Sequence, residues 1–229
     1  MAIWLGLGVL VLAVSYLLGA TPTGYWTGRV LKGIDIREHG SKSTGATNVL
    51  RTLGKGPGLF VLLVDVLKGV AAIAFTRWLY SLPLDMAIPP AIAPDVWVPW
   101  MVTLAALGAM FGHSRSVWIN FTGGKSVATG LGVLLAMSWP VGLGTLGVFA
   151  LLMALFRIVS LGSIAAAIAA PVLMVVLGQP LPYLLMAIAG GLYIVVRHRA
   201  NIQRLLKGTE PKIGQKHSNA EQNSPEQSA

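Results

Sequence analysis

Long apolar runs with very few charges recur along this chain, and no other feature restricts its fold as strongly. Residues 2–20 carry no charge, and the runs 140–156 and 181–196 are also uncharged. A bilayer core of about 30 Å is crossed by roughly 20 apolar residues in a helix. Only 11% of the residues are charged and 55% are hydrophobic, whereas a soluble domain has about 25% charged residues. The sequence therefore predicts an all-α integral membrane protein.

The apolar pattern predicts one polytopic domain, residues 1–213, and a polar, disordered tail at 214–229. Seven transmembrane helices are expected, at 2–20, 57–79, 96–111, 126–139, 140–156, 161–178 and 181–197. The third and fourth are short for a span, so they either include flanking residues or are partly re-entrant around a site. No charge precedes Arg29, which disfavours a cleaved signal peptide at the N-terminus.

The distribution of Lys and Arg predicts the orientation of these helices. The net charge is +9, and nearly all the basic residues fall in the loops 21–56 and 112–125, after the fifth span, and in the C-terminal region. The other side has only Arg77, together with Asp85 and Asp95. By the positive-inside rule, the basic loops and the C-terminus are cytoplasmic and the N-terminus is outside.

The first polar loop interrupts the apolar pattern with hydroxyl, amide and guanidinium groups. Its sequence at 40–54 is GSKSTGATNVLRTLG. Small residues let backbone N–H groups approach an oxyanion, and Arg donates two hydrogen bonds to a phosphate or carboxylate. The candidate residues are Ser41, Gly45, Thr47, Asn48 and Arg51. A flexible linker whose cations touch lipid headgroups remains the alternative.

The second polar loop, FGHSRSVWINFTGGKSVATG at 111–130, places a glycine pair before a lysine at a predicted helix start. Free N–H groups, the helix dipole and the lysine charge together favour an anion there. A nucleotide P-loop is excluded, because Ile119 stands where that motif needs glycine and no strand precedes it. His113 fits a helix-end residue bonded to backbone better than a catalyst. The candidate residues are His113, Gly123, Gly124, Lys125 and Ser126.

Two further segments and one buried pair complete the polar inventory. Ser160 and Ser163 lie near a span end, where hydroxyls often bond only to helix carbonyls. His198 and Asn201 are three residues apart and share a helix face, while Arg204 is also compatible with an ordinary interfacial anchor. Within the second span, Asp65 and Lys68 are one turn apart. Because an ion pair in a membrane helix must face the protein interior, we interpret it as structural and bordering the site.

The composition also limits the chemistry. The chain has no cysteine, and its four histidines lack carboxylate partners with metal-ligand spacing, so we expect no metal and no other cofactor. No Asp is placed beside a Ser and a His to form a triad. A cytoplasmic face that is poor in acids and rich in donors suits an anionic substrate.

Three motifs, in order, resemble the bacterial acyl-phosphate:glycerol-3-phosphate acyltransferase family (PlsY type). The first is GSKSTGATNVLRTLGKGPG at 40–58 with DVLKG at 65–69, and the second is GHSRSVWINFTGGKSVATG at 112–130. The third is RIVSLGSI at 157–164 with RHRANIQRLLKGTEPKI at 197–213. The resemblance covers nearly the whole chain.

This resemblance implies a protein of the cell inner membrane with its active site facing the cytoplasm. The expected reaction moves a fatty acyl group from acyl phosphate to the 1-hydroxyl of sn-glycerol 3-phosphate. The products are 1-acylglycerol 3-phosphate (lysophosphatidic acid), which begins phospholipid synthesis, and phosphate. The expected partners are these two substrates and membrane lipids, not nucleic acid, and no metal or nucleotide takes part.

The resemblance also implies roles for individual residues. The expected catalytic residues are Ser41, Arg51, Lys125, His198 and Asn201. The expected substrate-binding residues are Gly45, Thr47, Asn48, His113, Gly123, Gly124, Ser126, Ser160, Ser163, Arg204 and Glu210. Gly123 and Gly124 are expected to cradle the donor phosphate with N–H groups, one of the two serines of the third motif to orient the acceptor, and Glu210 to clamp basic loop residues.

Three positions, in two motifs, depart from the family pattern. Lys42 and Ser126 stand where the family usually has glycine, and Ser43 replaces the usual Asn. Glycine adopts positive φ easily and other residues do not, so we expect the loop geometry to differ locally at these positions. The reaction class is unaffected.

We hypothesise direct transfer without an acyl-enzyme, because acyl phosphate already carries a good leaving group. The proton of the attacking hydroxyl goes either to a substrate phosphate oxygen or to His198, and the sequence does not choose between them. The alternative function is a membrane transporter or channel for a phosphorylated anion. It is disfavoured because the middles of the spans are apolar apart from Asp65 and Lys68.

Overall fold

The computed structural model describes residues 2–82 and 93–214 of the chain, with side-chain burial from residue 6 onward. Most of the expected external loop, including Asp85, lies outside the described residues. So does the expected disordered tail, apart from its first residue.

The described residues form ten α-helices. They are α1 (Ala2–Ala20), α2 (Thr23–Lys32), α3 (Ala46–Leu53), α4 (Lys55–Ser81), α5 (Pro94–Ser114), α6 (Val127–Met137), α7 (Trp139–Phe156), α8 (Val159–Val176), α9 (Leu181–Arg197) and α10 (Arg199–Leu206). Short 3₁₀ turns at Ile36–Glu38 and Val117–Ile119 shape the two polar loops.

The described helices provide five or six candidate membrane spans where the sequence predicted seven. Five stretches are long and apolar enough, including Gly6–Lys32, which joins α1 and α2. A sixth arises if α9 and α10, which meet at a bend of 62°, count as one span. The expected all-helical membrane fold is confirmed, whereas the seven crossings and their orientation stay predictions.

The two spans that looked short differ in the structure. α5 is longer than predicted, because it starts with Pro94 in its first turn and continues through His113 to Ser114. α6 is shorter than predicted and has 11 residues, or about 16 Å at the rise of an α-helix. Ser138 ends it with extended backbone, and Pro140 lies in the first turn of the next helix, where proline is tolerated.

Six of these helices surround a central space. Going round it, α4 packs on α6, α6 on α7, α7 on α8, α8 on α9, α9 on α5 and α5 on α4, while α1 covers the outer side of α5. Small residues permit the closest approaches: a Cβ on Gly132 would collide with the carbonyl of Val66 where α6 meets α4. The polar loops and α3 lie at the end of this ring that also holds α10.

The ion pair in α4 is buried. Lys68 Nζ lies 2.6 Å from Asp65 Oδ1 and 2.5 Å from the carbonyl oxygen of Thr21. Both side chains are almost inaccessible, with 6% and 2% of their surface exposed. His113 Nδ1 is 3.7 Å from the same carboxylate oxygen. The pair therefore ties α4 to the end of α1 beside the loops, in agreement with a structural interpretation.

Replacing only Lys68 should be far more damaging than replacing both partners. Lys68→Met leaves the Asp65 carboxylate buried without its cation, which destabilises by about 3–5 kcal/mol. The double variant Lys68→Met, Asp65→Asn removes both charges and should recover much of that loss. Unfolding midpoints in detergent measure both effects, and equal midpoints for the single and the double variant would contradict the pairing argument.

Candidate functional site

One cavity of about 430 Å³ opens among α3 to α10, within the range of about 300–1,000 Å³ usual for ligand sites. Thirteen of the sixteen expected site residues line it. They are Ser41, Gly45, Thr47, Asn48, Arg51, His113, Lys125, Ser126, Ser160, Ser163, His198, Asn201 and Glu210. Gly123, Gly124 and Arg204 are not among the lining residues. Segments that are far apart in the chain thus converge on one space.

The first polar loop is folded around the side chain of Asn48, which is 1% exposed. Its Nδ2 lies 2.9 Å from the carbonyl oxygen of Ile36, 3.0 Å from that of His39 and 2.8 Å from that of Ser43. Its Oδ1 accepts from the N–H of Ser41 at 2.8 Å. The loop is therefore a folded wall of the cavity rather than a linker. The Asn48 amide is therefore bonded within the loop, and its contact with a substrate stays a prediction.

Both positions where glycine is usual have left-handed backbone. Lys42 has φ 54° and Ser126 has φ 61°, so the chain keeps a glycine-type conformation with other residues. At Ser126 the hydroxyl offsets part of that strain: it donates to the carbonyl of Met110 at 2.6 Å and lies 2.7 Å from Ser114 Oγ. Ser126 is fully buried, and these contacts hold its hydroxyl within the protein while the residue also lines the cavity.

The glycine pair of the second loop allows close packing. The N–H of Gly124 donates to the carbonyl of His113 at 3.1 Å, and its carbonyl accepts from Arg197 Nη2 at 3.0 Å. A Cβ at Gly124 would collide with the imidazole of His113, and one at Gly123 with the His113 carbonyl. The Gly124 N–H is therefore already engaged, and only Gly123 remains for the expected cradle.

Lys125 reaches from this loop to the start of α10. Its Nζ donates to Asn201 Oδ1 at 2.5 Å. Burial lowers the pKa of Lys125 to about 8, Glu210 opposes the shift, and the guanidinium groups of Arg204, Arg197 and Arg51 add to it. The ammonium is therefore still mostly charged at neutral pH but titrates far earlier than an exposed lysine.

Glu210 joins three donors beside Lys125. Its Oε1 accepts from Ser160 Oγ at 2.8 Å and from Asn201 Nδ2 at 2.6 Å, and its Oε2 accepts from Arg204 Nε at 2.7 Å. Burial alone would raise the pKa of Glu210, but these hydrogen bonds lower it below its usual value. The carboxylate is thus held in its ionised form, and Arg204 acts on it from outside the cavity.

The two serines of α8 behave differently. Ser163 Oγ donates to the carbonyl of Val159 at 2.8 Å, as expected for a hydroxyl satisfied by its own helix. Ser160 instead bonds to the Glu210 carboxylate. Of the two serines that the sequence left open, Ser160 is the one that joins the polar network.

The C-terminal segment closes over this network. Arg51 Nη2 donates to the carbonyl of Pro211 at 3.2 Å, and the N–H of Ile213 donates to the carbonyl of Arg157 at 2.8 Å. The segment that carries Glu210 is thereby attached to α3 on one side and to the start of α8 on the other.

His198 occupies the bend between α9 and α10 and is 3% exposed. Its Nδ1 lies 2.8 Å from the carbonyl oxygen of Ile194, an acceptor, so Nδ1 carries the hydrogen. That arrangement leaves Nε2 as the nitrogen able to accept a proton.

Some contacts were not visible in the sequence. Arg37, counted there only as a loop cation, donates to the carbonyl of Ile119 at 3.1 Å and to Thr122 Oγ1 at 3.0 Å, and so joins the two polar loops. Asp35 holds that guanidinium, 2.7 Å away. The one signal available was the acid two residues before the arginine. Within residues 2–82 and 93–214, no three His, Asp or Glu side chains are grouped so as to hold a metal ion.

The chain is similar in sequence to known proteins over nearly its whole length. Residues 9–208 match the family described as glycerol-3-phosphate acyltransferase. The chain is 62% identical over 217 residues to the glycerol-3-phosphate acyltransferase of Trichormus variabilis, covering 94% of this chain and 96% of the relative. It is 61% identical to glycerol-3-phosphate acyltransferase 2 of Rhizobium johnstonii over 93% and 99% of the two chains.

Two solved structures share the fold. Both are crystal structures of PlsY (YgiH), an integral membrane glycerol 3-phosphate acyltransferase, in a glycerol 3-phosphate form and a lysophosphatidic acid form. Each has a TM-score of 0.77 at 36% identity and covers 90% of this chain, with 96% and 95% of the solved chains. The fold is that of an integral membrane glycerol 3-phosphate acyltransferase. The chain belongs to the glycerol-3-phosphate acyltransferase family of the PlsY type, as its three motifs indicated.

Proposed function

We propose that this chain transfers a fatty acyl group from acyl phosphate to the 1-hydroxyl of sn-glycerol 3-phosphate. The observation that carries the proposal is a single cavity with two unlike ends. Arg51, Lys125 and Asn201 meet at its polar end, and its far end is apolar. Family membership supports the acceptor, and the ligand forms of the PlsY structures match the acceptor and the expected product, lysophosphatidic acid.

The reaction needs placement more than a strong nucleophile. The acceptor hydroxyl oxygen attacks the carbonyl carbon of the donor, the bond from that carbon to the phosphate oxygen breaks, and phosphate leaves with the electron pair. Good alignment of two bound reactants is worth about 7–11 kcal/mol. The charges of Arg51 and Lys125 stabilise the departing phosphate, where loss of one donor costs about 3–4 kcal/mol.

Direct transfer is supported by the state of the serines on α8. Ser160 is bonded to a carboxylate that is held ionised, and Ser163 to a helix carbonyl. Neither is arranged beside a histidine as an activated nucleophile would be. The acceptor proton goes either to an oxygen of a substrate phosphate or to Nε2 of His198.

Asn201 and Glu210 serve as positioning residues in this proposal. The Asn201 amide is fixed at both atoms, because its Nδ2 donates to Glu210 and its Oδ1 accepts from Lys125. The ammonium group is thus held where an incoming phosphate meets it.

The proposed setting is the inner membrane, with seven crossings, the N-terminus outside and the polar end of the cavity facing the cytoplasm. The placement of basic residues supports this orientation, and α6, packed between α4 and α7, serves as the short fourth crossing. A transporter would need the polar lining to continue through the protein. Instead, apolar residues such as Ala170 and Met186 line the far end of the cavity.

The donor is tested by supplying one acyl group in three forms. Purified protein with radiolabelled glycerol 3-phosphate should form lysophosphatidic acid from palmitoyl phosphate and not from palmitoyl-CoA or palmitoyl-acyl carrier protein. Arg51→Ala should reduce the rate about 10²–10³-fold. The exposed Arg199→Ala, at a residue outside the cavity lining, is the matched control. Comparable rates with a thioester donor would refute the donor assignment.

The pH profile tests the role of Lys125. Only the protonated ammonium attracts phosphate, so kcat/KM for glycerol 3-phosphate should fall as pH rises through about 8, the pKa to which burial lowers this group. Lys125→Arg remains charged throughout that range and should lose this descending limb. An unchanged limb in Lys125→Arg would assign the titration to another group.

A third variant separates the two proton acceptors. If His198 takes the proton, His198→Ala should lower kcat about 10²–10⁴-fold and change the acidic limb of the kcat profile. If a substrate phosphate takes it, the loss should be modest and the shape of the profile should stay the same. A folded His198→Ala protein with a modest loss and an unchanged profile would eliminate His198 as the base.

A further inference from the structure

The far end of the cavity has a lining quite unlike its mouth. Away from the loops the lining is mostly apolar: it includes Leu134 on α6, Thr145 and Phe149 on α7, Ala170 on α8 and Met186 on α9, with Leu62 and Leu63 on α4 and Met110 on α5. The Thr145 hydroxyl is satisfied by the carbonyl of Gly142 at 2.8 Å, so it offers no free donor. This part of the cavity suits a hydrocarbon chain.

The positions of the lining residues along α8 and α9 give similar depths for this apolar part. Ala170 follows Ser160 by ten residues along α8, which is roughly 15 Å at the rise of an α-helix. Met186 precedes His198 by twelve residues along α9, which is roughly 18 Å. The cavity therefore extends well below the polar network before it ends.

The cavity ends against the packed core. One helical turn beyond the last lining residues, Met174 on α8, Val141 on α7 and Tyr183 on α9 are buried members of the main hydrophobic core. Among the described residues that line the cavity, none comes after Ala170 on α8 or before Met186 on α9. Protein cores are close-packed, so the cavity does not continue along α8 or α9 past these residues.

We propose that Ala170 and Met186 set the length of the acyl chain that the protein prefers. This inference rests on the proposed acyl transfer and adds to it the position of the chain's end. Ala170 leaves open the space that a larger side chain would fill, and Met186 occupies space that a smaller one would release. A donor whose chain is too long must bend or withdraw its carbonyl from Arg51 and Lys125, so chain length acts on the reaction rate.

Two substitutions should shift the preference in opposite directions. Ala170→Leu shortens the cavity, so the ratio of kcat/KM for stearoyl phosphate to that for decanoyl phosphate should fall about tenfold, the lower end of what one methylene is worth in an apolar pocket. Met186→Ala should raise the same ratio. Ala169→Leu makes the same change on the same helix at a residue outside the cavity lining, and should keep the wild-type ratio.

The measurement uses saturated acyl phosphates from decanoyl to stearoyl in one detergent, with glycerol 3-phosphate saturating. If wild-type protein uses none of these donors, the proposed function itself fails. If it uses them and both end-of-cavity variants keep the wild-type ratio, the length inference is overturned and the proposed function stands. Should Ala170→Leu not fold, Met186→Ala decides alone, since a smaller side chain introduces no clash.

Discussion

The polar end of this cavity depends on the hydrogen bonds that the Glu210 carboxylate accepts. In a region rich in cations it supplies one buried negative charge, and it accepts hydrogen bonds from Ser160, Asn201 and Arg204. Through Asn201 it also determines where the Lys125 ammonium lies. A charge buried with its partners is stable, whereas the same cations without it would repel one another. The segment that follows α10 is thus part of the site and not merely the end of the chain.

Order in the two loops has a similar origin. Asn48 replaces missing backbone partners in the first loop, and Arg37 then bonds that loop to the second. Each loop presents charges to the cavity while its own polar groups are satisfied within the protein. This division suits the proposed reaction, since rigid donors stabilise charge best when they need not reorganise.

The sequence predicted the membrane class and most helix bounds, because apolar runs separated by charges leave few alternatives. The sequence motifs also identified the segments that line the cavity, because those motifs are specific. The sequence could not show which polar side-chain atoms form hydrogen bonds within the protein and which are left for a ligand. An amide such as that of Asn48 suits a ligand or a loop equally well, and the choice depends on carbonyls at Ile36 and His39 that only folding brings near. The division between Ser160 and Ser163 depends on Glu210, which is 50 residues away from Ser160. The length of α6 was hidden because its residues are as apolar as those of a full span.

The shortness of α6 has a consequence for the traffic of molecules. At about 16 Å, α6 is much shorter than a hydrocarbon layer of about 30 Å, so in the proposed orientation the loop that carries Lys125 dips below the level at which a full-length span would end. In the proposed reaction, the two substrates meet at the polar end of the cavity, between bulk water and the apolar lining. The two products of the proposed reaction differ in solubility: inorganic phosphate is soluble in water, while the acylated molecule partitions into lipid. In the proposed reaction, partition between two solvents therefore carries the two products away from the site in different directions.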